Sequence, residues 1–191
     1  MDMKFHFTCN LDLCDDTQIT LAASDGGQRT YLSKPYTVAA YSFGPCSPLM
    51  GVTRVYNSPD STFAEIVAAK LCLAAAVSNN IKNLILIIDN QAAMKTIQDC
   101  LIYEIKDSPS LQSMSDKYHA TAIFHDIHRL STSFNYLTIV WQRSHVTNTS
   151  ETNVFSYLNS AADALCTQEL EATFRTMGKP PIANQSHYLN Y

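Results

Sequence analysis

The sequence predicts an α/β domain, and three observations carry that prediction. Leu84-Ile85-Leu86-Ile87-Ile88 is an unbroken apolar run, the pattern of a strand buried on both faces. Residues 36–43 and 50–56 are two Val- and Tyr-bearing stretches parted by the short loop Gly44-Pro45-Cys46-Ser47-Pro48, as in a hairpin. Ala- and Leu-rich helical patterns then alternate with the later strands.

Residues 1–16 alternate apolar and polar around Phe5, Phe7, Leu11 and Leu13 before Asp15-Asp16, which suits an arm or an edge strand. Residues 18–23 read as the first strand and run into Ser24-Asp25-Gly26-Gly27, read as a turn. Asp25 thus stands at a strand end, and its plain reading is an Asp-Gly hairpin turn. With 36–43 and 50–56 this makes an antiparallel meander of three strands. Ser58-Pro59-Asp60-Ser61-Thr62 starts a helix over about 63–77. Glu65 is the only acid in that apolar helix, and Thr62 with Glu65 three residues later also reads as a capping box.

The buried strand 84–88 ends on Asp89, at the carboxyl end where open α/β sheets place their sites. Asn90 can cap a helix over about 91–103, and an Asp between strand and helix is often no more than part of such a cap. Asp107-Ser108-Pro109-Ser110 breaks that helix. A second amphipathic helix is expected over 111–130, with Met114, Tyr118, Ile123 and Ile127 on one side. His119, His125 and His128 lie on it without a carboxylate pattern, and read as surface or core-edge histidines. Residues 136–141 form the last strand, and 146–152 are polar and turn-prone. The last helix spans about 154–174 and presents Asn159 and Asp163 four apart on one face. Met177-Gly178-Lys179-Pro180-Pro181 stops it. The expected organisation is an arm or edge strand at 1–16, one domain at 17–178 and a tail at 179–191.

Composition narrows the function. The chain has 191 residues, 46% apolar and 16% charged, and so folds rather than staying disordered. Its net charge of -4 argues against strong unaided binding to nucleic acid, which favours a basic face. Cys9, Cys14, Cys46, Cys72, Cys100 and Cys166 include no Cys-x-x-Cys pair, so a zinc site is not expected. Cys72, Cys100 and Cys166 fall in apolar helical patterns as small buried hydrophobes. The start Met1-Asp2-Met3-Lys4 leads to no apolar signal region, and no membrane span of ~20 apolar residues is expected. The expectation is an intracellular, reduced protein with no membrane partner, in which sequons at Asn148 and Asn184 are chance.

Four acids therefore occur in the order Asp25 (first strand), Glu65 (first helix), Asp89 (fourth strand) and Asp163 (last helix). The segments around them are Ser24-Asp25-Gly26-Gly27, Phe63-Ala64-Glu65-Ile66-Val67-Ala68, Ile88-Asp89-Asn90-Gln91 and Asn159-Ser160-Ala161-Ala162-Asp163-Ala164-Leu165. Together they resemble the ribonuclease H family over roughly residues 17–170. Val140-Trp141-Gln142-Arg143-Ser144-His145 is similar to the Trp-x-x-x-His stretch of ribonuclease H domains in non-LTR retroelement reverse transcriptases. The resemblance implies a ribonuclease H-like fold: a five-stranded mixed sheet, three antiparallel strands then parallel ones, flanked by helices.

It also implies an activity, metal-dependent hydrolysis of the RNA strand of RNA–DNA hybrids. Two Mg²⁺ ions, with Mn²⁺ as a substitute, would activate water and stabilise the leaving oxygen. By resemblance Asp25 bridges the two ions, Asp89 and Asp163 hold the ion that activates water, and Glu65 serves the other. His145 assists proton transfer or product release. Gly26 and Gly27 let backbone amides approach RNA 2′-hydroxyls, and Gln91 and Asn159 contact the hybrid. Each has a plainer reading: turn glycine, helix first-turn amide, helix-surface amide.

Departures from the family pattern shape the rest. Gly27 stands where Ser is usual, and 18 positions separate His145 from Asp163, longer than the usual spacing. Residues 104–110 lack the basic protrusion with which some members grip hybrid. These features suit a domain of a larger polyprotein, such as a reverse transcriptase from a retrotransposon, that binds hybrid weakly alone. They also suit the alternative, a catalytically weak or inactive nucleic-acid-binding or scaffold module on the same fold. A related exonuclease is disfavoured, since Asp25 is followed by Gly26-Gly27 and not by x-Glu. Clustered carboxylates repel without a cation. Asp89→Asn is therefore expected to raise the melting temperature of the metal-free protein while abolishing cleavage. Lower stability with intact activity would contradict the site assignment.

Overall fold

β1 (Thr20–Tyr31), β2 (Lys34–Ser42) and β3 (Met50–Arg54) form the expected antiparallel meander. β4 (Asn83–Ile88) joins the other side of β1, and β5 (Tyr136–Trp141) joins β4, both parallel, giving the order β3-β2-β1-β4-β5. A computed structural model describes residues 18–31, 33–44, 47–143 and 153–177. The expected arm (1–16) and tail (179–191), part of the 44–48 loop, Cys9, Cys14, Cys46 and both sequons lie outside those residues.

Helices cover both faces of the sheet. β4 shows why its sequence is apolar throughout. Leu84, Leu86 and Ile88 enter the larger core with α1 (Ser61–Ser78), α2 (Gln91–Ile102), α3 (Pro109–Tyr118) and α4 (Thr121–Ser131). Ile85 and Ile87 face the other way, onto Leu158 and Ala162 of α5 (Val154–Thr176). Strand alternation thus meets a helix on each side. α5 continues across the meander, where Cys166 and Leu170 pack on Val38 and Ala40, and Phe174 meets Tyr36 edge-on at 5.4 Å. Cys72, Cys100 and Cys166 are free and buried, as expected.

The structure corrects four local readings. Ser24-Asp25-Gly26-Gly27 is not a turn: β1 runs through it to Tyr31, and Asp25 to Gly27 pair with Ala40 to Val38 of β2. The glycines serve close packing instead. A Cβ on Gly26 would collide with the Glu65 backbone nitrogen and lie 2.6 Å from the Ala64 carbonyl carbon. One on Gly27 would lie 3.2 Å from Cys166 Cβ of α5. So α1 rides directly on the β1 backbone.

Thr62 and Glu65 do not form a capping box. Asp60 is the N-cap of α1, accepting from the Phe63 N–H at 2.9 Å. Its carboxylate also accepts from Lys117 Nζ at 3.0 Å and from the Tyr118 hydroxyl at 3.2 Å, which ties α3 to the start of α1. The expected helix over 111–130 is two helices. His119 takes the left-handed conformation at φ 50°, and Ser115 Oγ bridges the break to Thr121 Oγ1 at 2.8 Å. The step from Tyr118 to Ile123 is five residues, about 140° out of phase on a continuous helix, and the break turns both apolar sides to the core. Finally, α1 is long and apolar enough to cross a membrane by length and composition, with 18 residues and mean hydropathy 1.5. Half of that stretch is buried between the sheet and the helices α2 and α4, and a core helix enclosed this way reads apolar on most sides.

Gly26→Ala is expected to cost about 1–3 kcal/mol, because the added methyl meets backbone that cannot turn aside. Urea denaturation measures it, and unchanged stability would show that α1 can lift off β1 freely.

Candidate metal centre

Sheet register brings two acids side by side. The parallel ladder pairs Thr20 with Leu84 through Ala23 with Ile87. Two residues further along each chain stand Asp25 and Asp89, at the same end of the two neighbouring strands. The third acid comes from α1. Because Gly26 admits the helix backbone, Glu65 reaches the same end of the sheet. Ligand oxygens of Asp25, Glu65 and Asp89 lie within 4.8 Å of one another.

This cluster is buried. Asp25 is 7% exposed and Glu65 3%, while Asp89 is half-buried. Burial, then the charges of Asp89 and Asp163, push the Asp25 carboxyl up to about 6, and a hydrogen bond from Cys166 works the other way. Burial, then Asp25 and Asp89, holds the Glu65 carboxyl well above the usual carboxylate range, against a hydrogen bond from the Gly26 amide. Glu65 Oε2 is buried and has no hydrogen-bond partner among the described residues. Such an acceptor suits a cation, and a donor set made only of carboxylate oxygens suits a hard divalent one. The residues present therefore fit a metal ion.

The other expected residues fall in three places. Asp163, on α5, is close enough to raise the Asp25 carboxyl but stands outside the tight group of three. Asn159, one turn earlier, is 5% exposed, and its Nδ2 donates to Asp89 Oδ2 at 3.2 Å. Gln91 is exposed as the first residue of α2, behind the expected cap Asn90, whose Oδ1 accepts from the Ala93 N–H at 3.0 Å. Asn90 also donates to Thr62 Oγ1 at 3.3 Å, joining the starts of α1 and α2 beside the cluster. His145 lies outside the described residues.

Two contributors escaped the sequence reading. Cys166, read only as a small hydrophobe, donates from Sγ to the Asp25 backbone carbonyl at 3.3 Å. Its signal was present: Asn159, Asp163 and Cys166 are spaced four and three apart, one face of α5. Trp141 donates from Nε1 to the Asp89 backbone carbonyl at 2.9 Å, which follows from its pairing with Ile88 across the ladder.

No family model and no curated protein matches the sequence. Solved structures do match. A crystal structure of RNase H1 from the halophilic archaeon Halobacterium salinarum NRC-1 aligns at TM-score 0.53 and 18% identity, over 81% of this chain and 99% of that one. The solution structure of the PFV RNase H domain aligns at TM-score 0.57 and 16% identity, over 78% and 92%. The foamy viral protease-reverse transcriptase in complex with RNA/DNA hybrid aligns at TM-score 0.57 and 13% identity, over 88% of this chain but 22% of that one. The chain has the ribonuclease H fold, with the mixed sheet and flanking helices that the resemblance implied.

The raised carboxyls give stability a direction with pH. Asp25 moves from 3.8 to about 6, so its contribution is full below 3.8 and is lost as pH rises through 6. That loss is about 3 kcal/mol, with Glu65 acting in the same direction. The metal-free protein is expected to melt lower at pH 7 than at pH 4, and Asp25→Asn to flatten that difference. A melting temperature that rises between pH 4 and pH 7, with the Asn variant unchanged, would contradict the buried-acid geometry.

Proposed function

We propose that this chain is a metal-dependent endonuclease that hydrolyses the RNA strand of RNA–DNA hybrids by a two-metal-ion mechanism. The observation that carries the reading is the convergence of Asp25, Glu65 and Asp89 within 4.8 Å at one end of a ribonuclease H-fold sheet. The fold neighbours suggest the substrate class: RNase H1, an RNase H domain, and a reverse transcriptase in complex with hybrid. A place within a reverse transcriptase polyprotein is part of the same proposal.

Asp25, Glu65, Asp89 and Asp163 would hold two Mg²⁺ or Mn²⁺ ions, with Asp25 shared between them, Asp89 and Asp163 serving one and Glu65 the other. When bound, divalent cations at such a centre activate water and neutralise charge at the leaving oxygen. The chain's own residues do the arranging. β1 and β4 set the spacing of Asp25 and Asp89, Gly26 brings Glu65 down onto them, and exposed Gln91 faces outward at the α2 start, where it can meet hybrid. Gly26 and Gly27, closed over by α1 and α5, serve the packing that seats the acids, and His145 is assigned proton transfer or product release.

A second reading is a catalytically weak or inactive module on the same fold. The net charge of -4 and the place of Asp163 outside the tight group favour it.

Cleavage of a labelled RNA–DNA hybrid with Mg²⁺ or Mn²⁺ separates the two, beside Asp89→Asn and a duplex-RNA control. The enzyme reading expects metal-dependent cutting of the hybrid RNA strand alone, reduced by at least ~10³-fold in the variant. Absence of cutting at high protein and low salt, together with no Mn²⁺-induced rise in melting temperature, would favour the inert module.

A further inference from the structure

Asn159 is an odd residue for its position. It lies on the buried face of α5 between Leu158 and Ala162, both fully buried against the sheet. An apolar side chain would pack there without desolvation cost, whereas an amide must find partners. Asn159 finds one. Its Nδ2 donates to Asp89 Oδ2 at 3.2 Å, while its Oδ1 is buried with no partner among the described residues. Turning the amide over would set Oδ1 against the Asp89 carboxylate, oxygen to oxygen. Asp89 therefore dictates the amide's orientation, even at the expense of Oδ1.

Asp89 needs such a tie because its own strand has ended. β4 stops at Ile88 and α2 begins at Gln91, so the ladder no longer fixes the residue. Three bonds from other elements take over. Gln142 N–H donates to the Ile88 carbonyl at 2.9 Å, Trp141 Nε1 to the Asp89 carbonyl at 2.9 Å, and Asn159 to the carboxylate itself. The first two hold the backbone, whereas Asn159, along with the Glu65 carboxyl, acts on the group that would bind metal.

We propose that Asn159 is a positioning residue that fixes the Asp89 carboxylate for the metal ion, and that it acts through Asp89 and not by reading the hybrid. The proposal rests on the metal-site reading of the acid cluster. A partner of this kind, which bonds a metal-binding carboxylate and leaves the ion alone, sets the ligand's direction before the ion arrives. With 5% exposure, the amide offers little to a substrate groove.

Calorimetric titration of Mn²⁺ into the metal-free full chain, without substrate, tests this for wild type, Asn159→Ala and Asn159→Ser. Steady-state cleavage beside it gives KM for hybrid and the half-saturating Mn²⁺ concentration. Asn159→Ala is expected to weaken Mn²⁺ binding about 10- to 100-fold. It should raise the half-saturating concentration alongside, with KM for hybrid within about twofold of wild type. Asn159→Ser keeps a donor and should recover part of the loss. Unchanged Mn²⁺ affinity with a raised KM would make Asn159 a substrate contact and overturn the proposal. Unchanged values of both, or failure of both variants to fold by circular dichroism, would also overturn it and leave a core role. Wild type binding no Mn²⁺ would remove the metal-site reading itself, whereas wild type and Asn159→Ala binding equally would remove only this inference.

Discussion

Three carboxylates packed within 4.8 Å and largely out of water cannot all carry charge unless something positive joins them. Much of this fold can be understood from that constraint. The cluster is built from elements whose positions are fixed by apolar packing on both faces of the sheet. The acids are held at their spacing whether or not repulsion favours it. In the metal-free protein the tension shows in the raised carboxyls of Asp25 and Glu65 and in the partnerless Glu65 Oε2. A divalent cation relieves both at once, which is why the cluster reads as a site and not as an accident of capping.

The absence of side chains matters as much as the acids. Gly26 removes the one Cβ that would keep α1 off β1, and it is the Glu65 backbone nitrogen that fills the space. The position that most limits residue choice in β1 is therefore next to Asp25 in sequence and under Glu65 in space. Gly27, one residue on, makes the corresponding room for Cys166 on α5. The two glycines let helices close on β1 from opposite faces and place Asp25 between them. The same closeness lets the Gly26 amide bond to Glu65 and the Cys166 thiol to Asp25.

Much of this was legible in the sequence, and the failures have physical causes. The Leu84–Ile88 run, Asp89 at its end and the Asn90 cap could be read directly, because each depends on a few adjacent residues. The order of elements and of the four acids was legible for the same reason. Asp25 reads as a turn residue because Asp-Gly-Gly is ordinarily a turn. What makes it a strand is the approach of α1 and α5, helices far along the chain. Glu65 was offered to a capping box because Thr62 stands three residues before it, whereas the cap is Asp60, selected by Phe63, Lys117 and Tyr118 together. The break at His119 shows in the sequence only as a five-residue step from Tyr118 to Ile123, a phase jump easily passed over within one long amphipathic stretch. Asn159 could be seen to share a face with Asp163. That its amide lies on Asp89, 70 residues earlier, needed the folded sheet.

The account stands on the acid cluster being a cation site, and anomalous diffraction from crystals soaked in Mn²⁺ addresses that directly. It predicts Mn²⁺ peaks at coordinating distance, about 2.0–2.3 Å, from carboxylate oxygens of Asp25, with Glu65 or Asp89 as a second ligand. Peaks confined to other surfaces, with the three carboxylates bare at saturating Mn²⁺, would contradict it.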